Sequence, residues 1–133
     1  MARPLTDGQF ATLLEFRVAW RKFTHWSEQQ ALAAGLTPAQ HQLLVAIRGH
    51  GDRRGPTITE VSEYLLLRHH SVIGIVQRAE ALGLVERRDD PDDHRLVRLR
   101  LTPLGRRRVD KLAALHLAEL ATLAPLLDAL VAP

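Results

Sequence analysis

The chain has 133 residues, enough for one hydrophobic core and too few for two independent domains. Apolar residues make up 46% and charged residues 25%, the balance of an ordinary globular protein; the net charge is +3, and sixteen of the 18 Lys and Arg residues are arginine. With no cysteine, disulfides, thiolate metal sites and thiol redox chemistry are excluded.

The opening Met1-Ala2-Arg3-Pro4 lacks the apolar core of a secretion signal. No apolar run approaches the roughly 18 residues that span a bilayer. A soluble, cytoplasmic protein without membrane contact is the expectation. From Gln9 to Ala34 neither proline nor glycine intervenes, which predicts one helix of about 26 residues, ~39 Å long, ended by Gly35. Its apolar residues, among them Phe10, Leu14, Val18, Trp20 and Trp26, fall on more than one face, more than a small core covers, and this points to a dimer.

Thr37-Pro38 reads as a helix start, threonine capping and proline in the first turn, with the helix running past Leu43, Leu44 and Ile47 to a stop near Gly49. Gly51-Asp52-Arg53-Arg54-Gly55-Pro56 is a loop by composition. Ile58 is expected to make a one-residue strand contact, with Thr59 capping a short helix from Glu60 to Leu66. A further helix is predicted from His69 to Leu82, with Val72, Ile75, Val76, Ala79 and Leu82 at helical spacing, ended by Gly83. Leu84–Arg88 and Arg95–Leu101 alternate as strands, Val97, Leu99 and Leu101 facing one way and Arg98 and Arg100 the other. Thr102-Pro103 opens a last helix through Val109 and Leu112, which Pro125 kinks or divides.

The two short helices joined by a tight turn form a helix-turn-helix. Burying Val72, Ile75, Val76 and Ala79 leaves Arg68, His69, His70, Ser71, Gly74, Gln77 and Arg78 outward, each a hydrogen-bond donor or a residue without bulk. Gly74 lowers helix stability by about 1 kcal/mol relative to alanine, which suits close approach to a groove or to a neighbouring helix. The charged tip between the strands is expected to carry Arg95 into a minor groove, with Arg88, Arg98 and Arg100 facing phosphates. Four aspartates beside DNA would repel it. Pairing Asp93 with Arg87 or Arg95 answers that objection by stiffening the turn, leaving Asp89, Asp90 and Asp92 at the solvent-facing tip.

The stretch Ile58 to Gly105 resembles the MarR family of bacterial winged-helix regulators. The likeness rests on Glu60-Val61-Ser62-Glu63-Tyr64-Leu65, Arg68-His69-His70-Ser71-Val72, Gly83-Leu84-Val85-Glu86-Arg87, Asp90-Pro91-Asp92-Asp93-His94-Arg95 and Leu101-Thr102-Pro103-Leu104-Gly105. The resemblance implies a mainly α fold with a small β-hairpin in one domain, 1–133. Within it a winged helix-turn-helix, 37–102, would lie between dimerisation helices at 5–35 and 103–131. It further implies a homodimer, in most members a repressor, on a pseudo-palindromic double-stranded DNA site, with each recognition helix in a major groove and each wing, through Arg95, in an adjacent minor groove. Many members release DNA when a small effector, often a phenolic compound or aromatic acid, fills a cleft between the dimer and DNA-binding parts. His94 stands where the family often has arginine, and Pro125 interrupts the last helix.

No nucleophile elbow, glycine-rich phosphate loop or H-E-x-x-H pair is present, so an enzyme is not expected, nor a cofactor. A metal-responsive regulator of the same fold is one alternative. Against it, the adjacent His69 and His70 point about 100° apart on a helix, and His25, His41 and His116 lie on three different predicted helices. The aspartate cluster lacks the glycine and distal glutamate of a calcium loop. A winged-helix module for protein contact alone is the other alternative, and a salt titration separates it from a DNA binder. Trp20, Trp26, His25, His41 and His116 could line an effector cleft, although core packing is the expected role of both tryptophans.

Overall fold

Threonine decides where four of the helices begin. Thr6, Thr37 and Thr57 each accept the backbone N–H three residues on, and Gln9, Gln40 and Glu60 return the bond to the cap's own N–H. Thr102 likewise caps through the N–H of Gly105. The computed structural model describes residues 3–132; Met1, Ala2 and Pro133, the ends of the single-domain expectation, lie outside the described residues. Those residues form α1 (Asp7–Ala33), α2 (Pro38–Gly49), α3 (Ile58–Leu65), α4 (His69–Ala81), the antiparallel strands β1 (Val85–Asp89) and β2 (Val97–Leu101), α5 (Pro103–Leu120) and α6 (Ala124–Val131).

The sequence reading put the third cap two residues late. Thr57, not Thr59, begins α3, because only Thr57 has an acidic residue three positions on to close the box; it is also Thr57, not Ile58, that bridges to Arg98 beside β2. Leu82 ends α4 exposed rather than buried. Pro125 does not mark the break in the last helix: the chain turns through Ala121–Leu123 and the proline sits in the first turn of α6, where its missing N–H costs nothing.

The core gathers Leu43, Leu44 and Ile47 of α2, Val61 of α3, the Val72–Ala79 stripe of α4, Leu84, Val85 and Leu99 of the hairpin, and Val109 and Leu112 of α5. Two glycines let backbones meet there. At Gly55 (φ 85°) a Cβ would fall on the carbonyl oxygen of Leu99, and at Gly105 on that of Leu84. So the loop after α2 and the first turn of α5 both press on the hairpin. Phe10, Leu14, Val18 and Trp20 of α1, with Leu117, Leu127 and Val131 of α5 and α6, are left exposed. Among the described residues no single helix is long and apolar enough to cross a membrane; α5 and α6 reach that measure only jointly, across a 48° bend.

Candidate nucleic-acid interface

α3 and α4 meet through Leu66, whose left-handed backbone (φ 53°) reverses the chain in one residue. Arg68 then stands at the N-cap of α4 with its side chain committed to no cap bond. Arg68, His69, His70, Gln77 and Arg78 are exposed, and Ser71 and Gly74 are half-buried between them. The outer face also presents Ile73, absent from the sequence reading; its place one residue after buried Val72 could have revealed it. A Cβ at Gly74 would meet only the guanidinium of Arg78, so no neighbouring helix requires glycine there.

In the hairpin, Arg87 lies opposite Leu99 on the face toward α4, while Arg88 lies opposite Arg98 and Glu86 opposite Arg100 on the other. Arg87 pairs with Glu80 of α4 at 2.8 Å, so it ties β1 to the helix and does not stiffen the tip as expected. Arg88 lies 3.3 Å from Glu86 at the surface. The tip is stiffened by Asp93, which accepts from the backbone N–H, Nε and Nη2 of Arg95 at 2.9–3.0 Å. Those bonds hold the Asp93 carboxyl below its usual range and push Arg95 up. The Arg95 side chain itself is 89% exposed.

Two expectations fail at the base of the wing. Asp90 is buried, not at the solvent-facing tip: its Oδ1 accepts from the N–H of Asp92 and Asp93, and its Oδ2 from Arg98 Nε at 2.7 Å. Arg98, expected to face phosphate, is only 11% exposed and spends its donors on Asp90, Gly55 O and Glu60. The Asp90 carboxyl is held below its usual range, by Arg98 first and then by the two N–H groups. Nothing in the alternation of the strand distinguishes this buried arginine from Arg100 beside it; the partner 43 residues away does.

Two cavities flank these elements. One of about 240 Å³ lies between α4 and the wing, with His69 and Ile73 on one wall and Arg95 and Leu96 on the other. The larger, about 540 Å³, is enclosed by Phe23 and Ser27 of α1, His41 and Val45 of α2, and Tyr64 of α3. Behind it His41 packs against His116, centroids 4.8 Å apart and planes tilted by 48°, and Trp26 lies 5.0 Å from the same ring. His116 Nδ1 donates to Leu112 O at 2.7 Å, which leaves Nε2 to accept the Ser27 hydroxyl at 2.6 Å. Burial, then the His116 charge, lowers the His41 pKa. Thus two of the three separated histidines do converge, while His25 stays exposed. Among the described residues no group of three or more His, Cys, Asp or Glu could hold a metal. Trp20 is exposed and Trp26 half-buried, so neither is a core residue.

The sequence profile of the MarR family matches residues 34–96, from the end of α1 to the wing. A solved MarR family transcription regulator superposes on 90% of this chain and 77% of its own at a TM-score of 0.75 and 26% identity. The chain belongs to the MarR family. Among curated MarR relatives, the HTH-type transcriptional repressor NicR of Pseudomonas putida is 33% identical over 94 residues, 71% of this chain. The match spans 58% of that repressor's length. BpsR of Bordetella bronchiseptica, whose DNA binding is regulated by 6-hydroxynicotinic acid, shares the fold over 86% of this chain and 83% of its own at 27% identity (TM-score 0.65). A mutant of S. aureus MepR bound to an oligodeoxyribonucleotide, at 19% identity, shares the fold over 92% of this chain and 84% of its own (TM-score 0.71). The six helices and hairpin are therefore the winged helix of MarR regulators.

Proposed function

We propose that this protein is a homodimeric repressor that binds a pseudo-palindromic double-stranded DNA site and acts in the cytoplasm. α4 enters the major groove, amino-terminal end foremost, with Arg68, His69, His70, Ser71, Gln77 and Arg78; Gly74 lets the helix sit close, and Arg95 enters the adjacent minor groove. Arg88 faces the backbone beside the wing, and Asp93 holds Arg95 in position. The observation that carries this reading is that His69 and Ile73 of α4 and Arg95 and Leu96 of the wing wall one cavity, so helix and wing tip open to the same side. The exposed apolar residues of α1, α5 and α6 support a second copy as the partner of those helices. The larger cavity, about 540 Å³, has the size of a small-molecule site, and it lies between α1 and the helix-turn-helix. An effector seated there releases the DNA.

The test is selection of bound genomic fragments followed by a salt titration of the recovered duplex. Two-fold symmetric sites with half-sites about one helical turn apart and a steep loss of affinity with added salt are expected. Flat salt dependence would assign the module to protein contact instead.

A further inference from the structure

We infer that Tyr64, His50, Glu60, Arg98 and Asp90 form a polar lever through which a hydrogen-bond acceptor in the larger cavity loosens the wing tip; this rests on the reading above that the cavity takes an effector and the wing binds DNA. Tyr64 is in the cavity wall, half exposed, and its hydroxyl lies 2.7 Å from His50 Nδ1. The His50 side chain is 7% exposed; its Nε2 has no hydrogen-bond partner and faces Glu60 Oε2 at 3.6 Å. The other oxygen of Glu60 accepts from Thr57 N at 3.0 Å and Arg98 Nη1 at 3.4 Å. Arg98 passes to Asp90, and the Asp90 carboxylate carries the N–H groups of Asp92 and Asp93. Polar groups therefore follow one another from the cavity wall to the backbone of the wing turn, hydrogen-bonded at every link except His50 Nε2 to Glu60, which is a 3.6 Å electrostatic contact.

The direction of the lever follows from the protons. A neutral imidazole has one donor and one acceptor nitrogen. With the Tyr64 hydroxyl donating to Nδ1, the ring's own proton sits on Nε2 and points at the Glu60 carboxylate, an attraction between a buried ring and a part-exposed anion. A carboxylate or phenolate in the cavity accepts the hydrogen bond of the tyrosine hydroxyl instead. Nδ1 then faces an oxygen with no proton to offer, and the ring satisfies it by carrying its hydrogen there. Nε2 is left as a lone pair against the Glu60 anion. That contact turns repulsive, and only the Glu60 side of it is open to solvent. Glu60 swings away from Arg98 and the Thr57 cap, and Arg98, now held only by Gly55 O and Asp90, shifts beneath the wing turn and takes the Asp90 carboxylate with it.

The absence of native cysteine makes the test direct. Val45→Cys puts one thiol in the cavity wall, where Val45 is 47% exposed. Carboxyethyl methanethiosulfonate then tethers an acceptor there, and propyl methanethiosulfonate an apolar group of similar size. Amide hydrogen exchange at Asp92 and Asp93 is followed by NMR in Val45→Cys and in Val45→Cys/Tyr64→Phe. The carboxylate adduct should speed both amides about fivefold or more, the lower end of coupling between sites, the propyl adduct less, and Tyr64→Phe should abolish the difference between them. Equal responses with and without the tyrosine hydroxyl, or no response, overturn the lever. DNA affinity of the same adducts separates the two levels: DNA release with unchanged exchange sinks the lever and leaves the effector reading, whereas faster exchange with unchanged affinity sinks the effector reading and leaves the lever.

Discussion

Replacing Arg98 by alanine distinguishes a brace from a phosphate contact. Each phosphate neutralised on duplex DNA contributes about 0.9 to the slope of log affinity against log salt. A homodimer losing one contact per protomer would lose about 1.8. Between about 50 and 200 mM salt, that change alters the ratio of wild-type to variant affinity about twelvefold. Because Arg98 is 11% exposed and bonded to Asp90, Gly55 O and Glu60, Arg98→Ala should lower affinity by nearly the same factor at every salt concentration, with a lower melting temperature. Arg88→Ala, at the exposed position proposed to face the DNA backbone, should flatten the slope by about 1.8. The assay is fluorescence anisotropy on the selected duplex. Asp90→Asn supplies the opposing sign: it should weaken binding by disordering the wing, whereas a phosphate-seeking Arg98 freed from Asp90 would bind more tightly. A slope reduced in Arg98→Ala, or tighter binding in Asp90→Asn, refutes the brace.

Three further outcomes are expected. Arg95→Ala should weaken gel-shift affinity for the selected site while size-exclusion chromatography still returns the dimer, since the side chain is 89% exposed and, among the described residues, hydrogen-bonded to Asp93 alone. Gly74→Ala should raise stability by about 0.5–1 kcal/mol through helix propensity yet weaken DNA binding, because the new methyl meets only Arg78 inside the protein and otherwise faces the groove. His41 has its folded pKa lowered from 6.5, so the unfolded chain takes the proton first. Melting temperature should therefore fall as pH drops through that value and level off below the folded pKa, and His41→Gln should flatten this segment in scanning calorimetry between about pH 8 and about pH 5.

What could be read from the sequence was what local chemistry fixes. Thr37-Pro38 and Thr102-Pro103 start helices because cap and proline lie side by side, and the Val72–Ala79 stripe is buried because only one face of α4 has that spacing. The misreadings arose where one residue type occurs twice within a few positions. Thr57 and Thr59 differ only in what stands three residues later, and Asp90 and Asp92 only in which of them reaches Arg98. No periodicity within the wing tells these apart, because the deciding partners, Gly55 and Glu60, come from the loop and helix that pack beneath it. The His41–His116 contact is hidden for the same reason: it exists only once α2 packs on α5.

The acidic wing is compatible with DNA because three of its carboxylates are already paired. Asp90 answers Arg98, Asp93 answers Arg95 and Glu86 answers Arg88, while the exposed Asp92 lies 3.7 Å from Arg54. Arg95 pays no penalty in reach for its pairing, since a guanidinium has five N–H donors in a planar fork and Asp93 takes only those on Nε and Nη2. The Nη1 edge stays outward, aimed by the pair. An ammonium group cannot divide itself in this way: it is a single point of charge at the end of a flexible stem. Arg95→Lys should therefore keep the salt slope but lose affinity for the selected site relative to mixed-sequence DNA, nearly as far as Arg95→Ala does. If lysine restores wild-type discrimination at that site, charge alone was the requirement and the fork held by Asp93 has no part in recognition.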